Sequence, residues 1–66
     1  MIVMVNGQPH ELRDGVNVAE LLEQLEFAGQ RVAVELNREV VPRSLHPQTL
    51  LREGDRLEII RAVGGG

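Results

Sequence analysis

Three sets of residues in this chain are of types that could do chemistry. They are the histidines His10 and His46, the carboxylates Glu20, Glu23 and Glu26, and the closing run Gly64-Gly65-Gly66. The histidines stand far apart, and neither has a cysteine or carboxylate at metal-ligand spacing. Both read as surface histidines, and no metal site is expected. Ser44, the one serine, lacks the G-x-S-x-G setting of an activated nucleophile and reads as a turn residue. The three glutamates follow one another at i, i+3 spacing, which is a solvated helix face. Carboxylates there are favoured by the helix dipole. The chain has no cysteine, hence no thiol nucleophile, zinc–thiolate cluster or disulfide. No catalytic residue is assigned, and the chain is not expected to be an enzyme.

The glycine run is different. A well-patterned strand passes through Val63 and then gives way to Gly64, Gly65 and Gly66. Glycine lets a backbone pass a narrow channel and adopt φ and ψ closed to other residues. It also leaves the carboxylate of Gly66 sterically open. Three extended residues reach about 10 Å, enough to enter a partner's active site. A carboxylate is a poor electrophile, because its oxygens leave badly. Converting it to an acyl-adenylate supplies a good leaving group, AMP, which a sulfur nucleophile can displace. Residues 1–63 are then expected to form the domain, and residues 64–66 a flexible tail.

Composition narrows the partners. A chain of 66 residues holds one domain at most and has no room for a deep cavity beside its core. The formal charge of −3 argues against nucleic acid, which demands a basic stripe, and Phe27 is the only aromatic residue. All seven basic residues are arginines, so the chain cannot build lysine-linked chains of itself. No apolar run approaches the roughly 20 residues that span a bilayer, and Met1 to Val5 do not make a signal peptide. A cytoplasmic protein without membrane contact is expected.

The elements that must position the tail can be read from local pattern. Ile2 to Val5 are apolar and end at Asn6-Gly7, the strongest short hairpin signal. A second strand follows over Gln8 to Leu12, and Pro9 marks it as an edge. Asn17 with Glu20 resembles a capping box. Val18, Leu21, Leu22 and Leu25 share one helical face, giving a helix over residues 18–27 with Gly29 as its stop. Residues 31–37 alternate as a half-buried strand, with Val32, Val34 and Leu36 inward. A turn at Asn37-Arg38-Glu39 leads to a short strand at Val40-Val41, stopped by Pro42. Residues 44–51 read as irregular, since Pro47 prevents a long helix. Gly54-Asp55 turns into a last strand over residues 56–62.

The order β, β, α, β, β, β predicts an α+β two-layer domain: a mixed sheet of about five strands with one helix on one face. Val3, Val5, Leu12, Leu57 and Ile59 join the inward set. Ile2, Met4 and Ile60 alternate with inward positions and so belong to the uncovered face. If first and last strands are neighbours they could cluster there as a docking surface, with Arg56 and Arg61 flanking Ile60.

These features together resemble the ThiS family, the sulfur carriers of thiamine biosynthesis in the ubiquitin-like β-grasp group. The resemblance rests on Asn6-Gly7, Val18-Ala19-Glu20-Leu21-Leu22, Asn37 before Val40-Val41-Pro42-Arg43, Gly54-Asp55 before the last strand, and terminal Gly65-Gly66. It covers essentially the whole chain. It implies that a ThiF-type enzyme adenylates the carboxylate of Gly66 at the expense of ATP. Sulfur from a cysteine desulfurase route then forms a thiocarboxylate, which a ThiG-type thiazole synthase consumes. Gly64 and Gly65 would thread the partner's active site, with Ile2, Met4 and Ile60 near the contact. The carrier would bind no cofactor of its own. Alternatives are a related carrier for molybdopterin or another pathway, and a ubiquitin-like protein modifier.

Overall fold

The computed structural model describes residues 1–61. Two asparagine-led hairpins, one helix and one final strand account for most of it. Strand β1 (Ile2–Val5) pairs antiparallel with β2 (Gln8–Glu11). The turn between them has positive φ at both Asn6 (51°) and Gly7 (81°), as a type I′ turn requires. Helix α1 (Val18–Gln24) and strand β3 (Val32–Leu36) follow. Strand β4 (Glu39–Val41) pairs antiparallel with β3 across a second turn with positive φ at both Asn37 and Arg38. A 3-10 helix (Arg43–Gln48) then leads towards β5 (Arg56–Arg61). The sheet order is β2-β1-β5-β3-β4. Strand β5 runs parallel to β1 and antiparallel to β3. The expected mixed five-stranded sheet is present, and the first and last strands are neighbours.

The helix is shorter than its apolar periodicity predicts. Its start carries the expected capping box: Glu20 N donates to Asn17 Oδ1 at 2.8 Å, and Asn17 N donates to Glu20 Oε1 at 3.1 Å. Such a cap is worth about 1 kcal/mol. Its last residue is Gln24, with Leu25 as C-cap, three residues short of the expected end at residue 27. Glu26 takes the left-handed conformation (φ 64°). Glu26 N donates to Glu23 O at 3.1 Å, and Phe27 N donates to Leu22 O at 2.8 Å. That pair of bonds is a Schellman cap closed around a glutamate rather than a glycine.

The core is aliphatic. Val3, Val5, Leu12, Val18, Leu21, Leu22, Val34, Leu57 and Ile59 are buried, and Val32, Leu36, Leu25, Phe27 and Met1 pack against them. Two further core residues, Val16 and Leu51, lie in connections. They are brought in by a short antiparallel contact: Leu51 N donates to Val16 O at 3.0 Å, and Val18 N donates to Thr49 O at 2.9 Å. The segment read as irregular is thus ordered as a 3-10 helix tied to the start of α1. Pro47 lies inside it, and the winding stays a short 3-10 piece rather than a long α-helix. His46 is a correction. It is 5% exposed, not a surface histidine. Its Nε2 lies 3.1 Å from Val41 O; a carbonyl accepts, so Nε2 donates.

Strand β5 is held by the leading asparagines of the two turns, at Ile59 within its second half and at Arg56 at its start. Strand β1 stops at Val5, and beyond Leu57 it offers β5 no backbone partner on that edge. The side chain of Asn6 takes over: Ile59 N donates to Asn6 Oδ1 at 2.8 Å, and Asn6 Nδ2 donates to Ile59 O at 3.2 Å. At the start of β5 Arg56 N donates to Asn37 Oδ1 at 3.0 Å, and Asn37 Nδ2 donates to Asp55 Oδ1 at 3.1 Å. Each such bond contributes about 1 kcal/mol net. Asn6→Ala removes two of them and a residue suited to positive φ. Its expected loss is about 2 kcal/mol of unfolding free energy, read from urea unfolding; a change under about 0.5 kcal/mol would show that water replaces the side chain without penalty.

Candidate functional site

Helix α1 covers one face of the sheet and leaves the other bare. The outward residues are Pro9 and Glu11 on β2, Ile2 and Met4 on β1, Ala33 and Glu35 on β3, Val40 on β4, and Arg56, Glu58 and Ile60 on β5. Their outward direction follows from strict alternation with the buried Val3, Val5, Val34, Leu57 and Ile59. Ile2, Val40 and Ile60 are 46%, 70% and 54% exposed, and Met4 is half-buried.

The three apolar residues expected to cluster share this face but not one patch. Strand β1 runs parallel to β5 with Met4 beside Arg56, and Gly54 N donates to Ile2 O. Ile2 is therefore level with Gly54. Ile60 lies six positions further along, about 20 Å at strand rise. Between them stands a charged recess. Alternation sorted these residues to the correct face; only the parallel register between the first and last strands could place them along it.

That recess, of about 370 Å³, is lined by Glu35, Asn37, Arg38, Arg56 and Glu58. Glu35 and Glu58 are direct cross-strand partners in the β3–β5 register, which sets their Cβ atoms roughly 5 Å apart. Arg38 sits in the turn at φ 71°, a conformation that costs a non-glycine residue about 1–2 kcal/mol. No local pattern brings Glu35 and Glu58 together, because the pairing of residue 35 with residue 58 is a tertiary fact. Arg61, expected to flank Ile60, instead lies with its guanidinium 5.6 Å from the centroid of Phe27, within cation–π range.

The sulfur-bearing candidate Gly66 and the threading residues Gly64 and Gly65 lie outside the described residues, as does the expected boundary at Val63. The described part ends at Arg61 of β5, the central strand of the sheet. Among the described residues no helix is long and apolar enough to cross a membrane.

Comparison with known proteins bears on the whole chain. The model of the ThiS family matches residues 3–66. The sulfur carrier protein ThiS of Escherichia coli is 32% identical over 66 residues, covering all of both chains. That of Thermus thermophilus is 35% identical over 98% of this chain and all of its own. A thiazole synthase of Magnetococcus marinus is 39% identical over all of this chain, which spans only 20% of that relative's length. The crystal structure of the thiamine biosynthesis protein ThiS from Geobacter metallireducens superposes with a TM-score of 0.85 at 39% identity, over the full length of both. The fold is thus the β-grasp arrangement of that neighbour, and the chain belongs to the ThiS family of sulfur carriers.

Proposed function

We propose that sulfur is carried on the C-terminal carboxyl group of Gly66 and delivered to thiazole formation in thiamine biosynthesis. The observation that carries this reading is the family match, which extends from residue 3 through residue 66 and so includes the glycine run. The chemistry follows from the acid itself. A carboxylate oxygen of Gly66 attacks the α-phosphorus of ATP on a ThiF-type enzyme, and pyrophosphate leaves. A hydrosulfide equivalent, supplied through a cysteine desulfurase route, then attacks the acyl carbon. AMP departs with the bonding pair, and the proton of the sulfur nucleophile passes to solvent. The product is a thiocarboxylate whose sulfur a ThiG-type thiazole synthase takes up. That last partner is supported by thiazole synthases that contain a region similar to this chain.

The division of labour suits the chain. Activation and transfer belong to the partners, and the carrier supplies a recognised domain and a slim terminus. It binds no cofactor; ATP is consumed on the adenylating enzyme, in the cytoplasm. Gly64 and Gly65 pass through the partner's channel, while Ile2, Met4 and Ile60 contact the partner at separate points of the outer sheet face.

The test is an intact-mass measurement. The full chain is incubated with ATP, the adenylating enzyme and a sulfur donor. Replacement of one terminal oxygen by sulfur is the expected gain, and omission of ATP abolishes it. A chain that keeps its original mass under all conditions would overturn the assignment.

A further inference from the structure

We infer that the recess on the outer sheet face is a docking seat for a basic side chain, an arginine or lysine, presented by one of the two enzymes that handle the C-terminus. This rests on the carrier reading above and adds a contact to it. The starting observation is a conflict within the folded domain. Glu35 and Glu58 face each other directly across β3 and β5, a placement that is destabilising for like charges. The conflict is not relieved from within. Among the described residues the ion pairs are the terminal ammonium of Met1 with Asp14, and Arg13 with Glu20. Arg38 and Arg56 line the same recess, yet neither stands within ion-pair distance of either glutamate.

The recess is thus lined by two glutamates and two arginines, together with Asn37. A partner surface that complements it carries a cation for Glu35 and Glu58, with an acidic neighbour towards Arg38 and Arg56. The opening, about 370 Å³, admits a long basic side chain, and a guanidinium matches paired carboxylates better than an ammonium does. Position supports the same occupant. Glu58 lies on the strand that leads to the glycine run and precedes Gly66 by eight positions, at most about 28 Å of chain. An enzyme that holds the terminus has this bare face within reach. Charge complementarity of this kind selects partners and speeds their encounter.

The test uses the full chain with the thiazole synthase and the adenylating enzyme of the same organism. Glu58→Arg turns the like-charged cross-strand pair into an opposite-charged one. The domain is expected to unfold at an equal or higher urea concentration, while binding to at least one enzyme weakens about tenfold or more. Glu58→Gln is expected to weaken the same complex by a smaller factor, and it keeps the test open should the arginine variant fail to fold. Glu23→Arg makes the same change in net charge at an exposed position of α1 and is expected to leave both complexes within about twofold. The seat is overturned if Glu58→Arg and Glu58→Gln bind both enzymes as the wild type does, or if Glu23→Arg weakens binding equally. Wild-type chain that binds neither enzyme would overturn the carrier reading itself, and the seat with it.

Discussion

A chain lacking Gly66 is expected to acquire no measurable sulfur while unfolding at the same urea concentration as the full chain. The deletion leaves Gly65 as a free glycine carboxylate, so the chemical group survives. What changes is its position, by one residue or about 3.5 Å. Attack on ATP needs the carboxylate oxygen within near-attack distance of the α-phosphorus, and a displacement of even 1 Å can cost about a hundredfold in rate. The expected loss is therefore at least that large, read by intact mass after incubation with ATP, adenylating enzyme and sulfur donor. The core ends with Ile59 among the described residues of β5, so the unfolding midpoint has no reason to move. A deletion variant that unfolds earlier would mean that the terminus packs against the domain, and one that loads sulfur normally would mean that the enzyme does not measure its length.

The second large effect concerns the domain. Leu21 is completely buried, among the largest residues so enclosed, and it joins α1 to the inner face of the sheet. Leu21→Ala removes transfer free energy and leaves a cavity, together about 2–5 kcal/mol. A domain of 66 residues has a total stability on the order of 3–10 kcal/mol. The substitution thus removes a large share of it, and at the lower end of that range leaves the unfolded chain populated without denaturant. Urea unfolding followed by circular dichroism gives the shift. A loss below about 1 kcal/mol would show that the helix settles onto the sheet and closes the cavity.

Local signals in the sequence carried most of the fold. Asn6-Gly7, the Asn17–Glu20 box and the alternation of residues 32–36 each depend on neighbours a few positions away, and each appears where the pattern places it. What was hidden depends on distance along the chain. His46 is buried because the 3-10 helix folds against α1, a contact that no local spacing encodes; Val41 O then accepts from its ring. Val16 and Leu51 enter the core through a contact between two connections. The helix stops after Gln24 because two backbone bonds close around Glu26, although Gly29 is the better residue for the left-handed conformation. On the outer face, alternation gave the direction of Ile2, Met4 and Ile60 but not their separation. The pairing of Glu35 with Glu58 required the register of β3 on β5.

The side chain that secures β5 also carries a chemical liability. In an Asn-Gly pair the backbone nitrogen of the glycine is unhindered. It can attack the asparagine side-chain carbonyl, close a succinimide ring and release ammonia; hydrolysis then leaves aspartate or isoaspartate. In the folded chain both polar atoms of the Asn6 amide are engaged by Ile59, which restrains the group's rotation towards a reactive geometry. Ageing at this position is therefore expected to proceed at the rate at which the Asn6–Ile59 bonds open, and accumulation of isoaspartate at position 6 in stored protein measures it. The product is a poorer tie than the residue it replaces, because a carboxylate accepts hydrogen bonds but has no proton to give to Ile59 O. Deamidation thus loosens the tie on β5, and the durability of the stored protein is set at this hairpin turn.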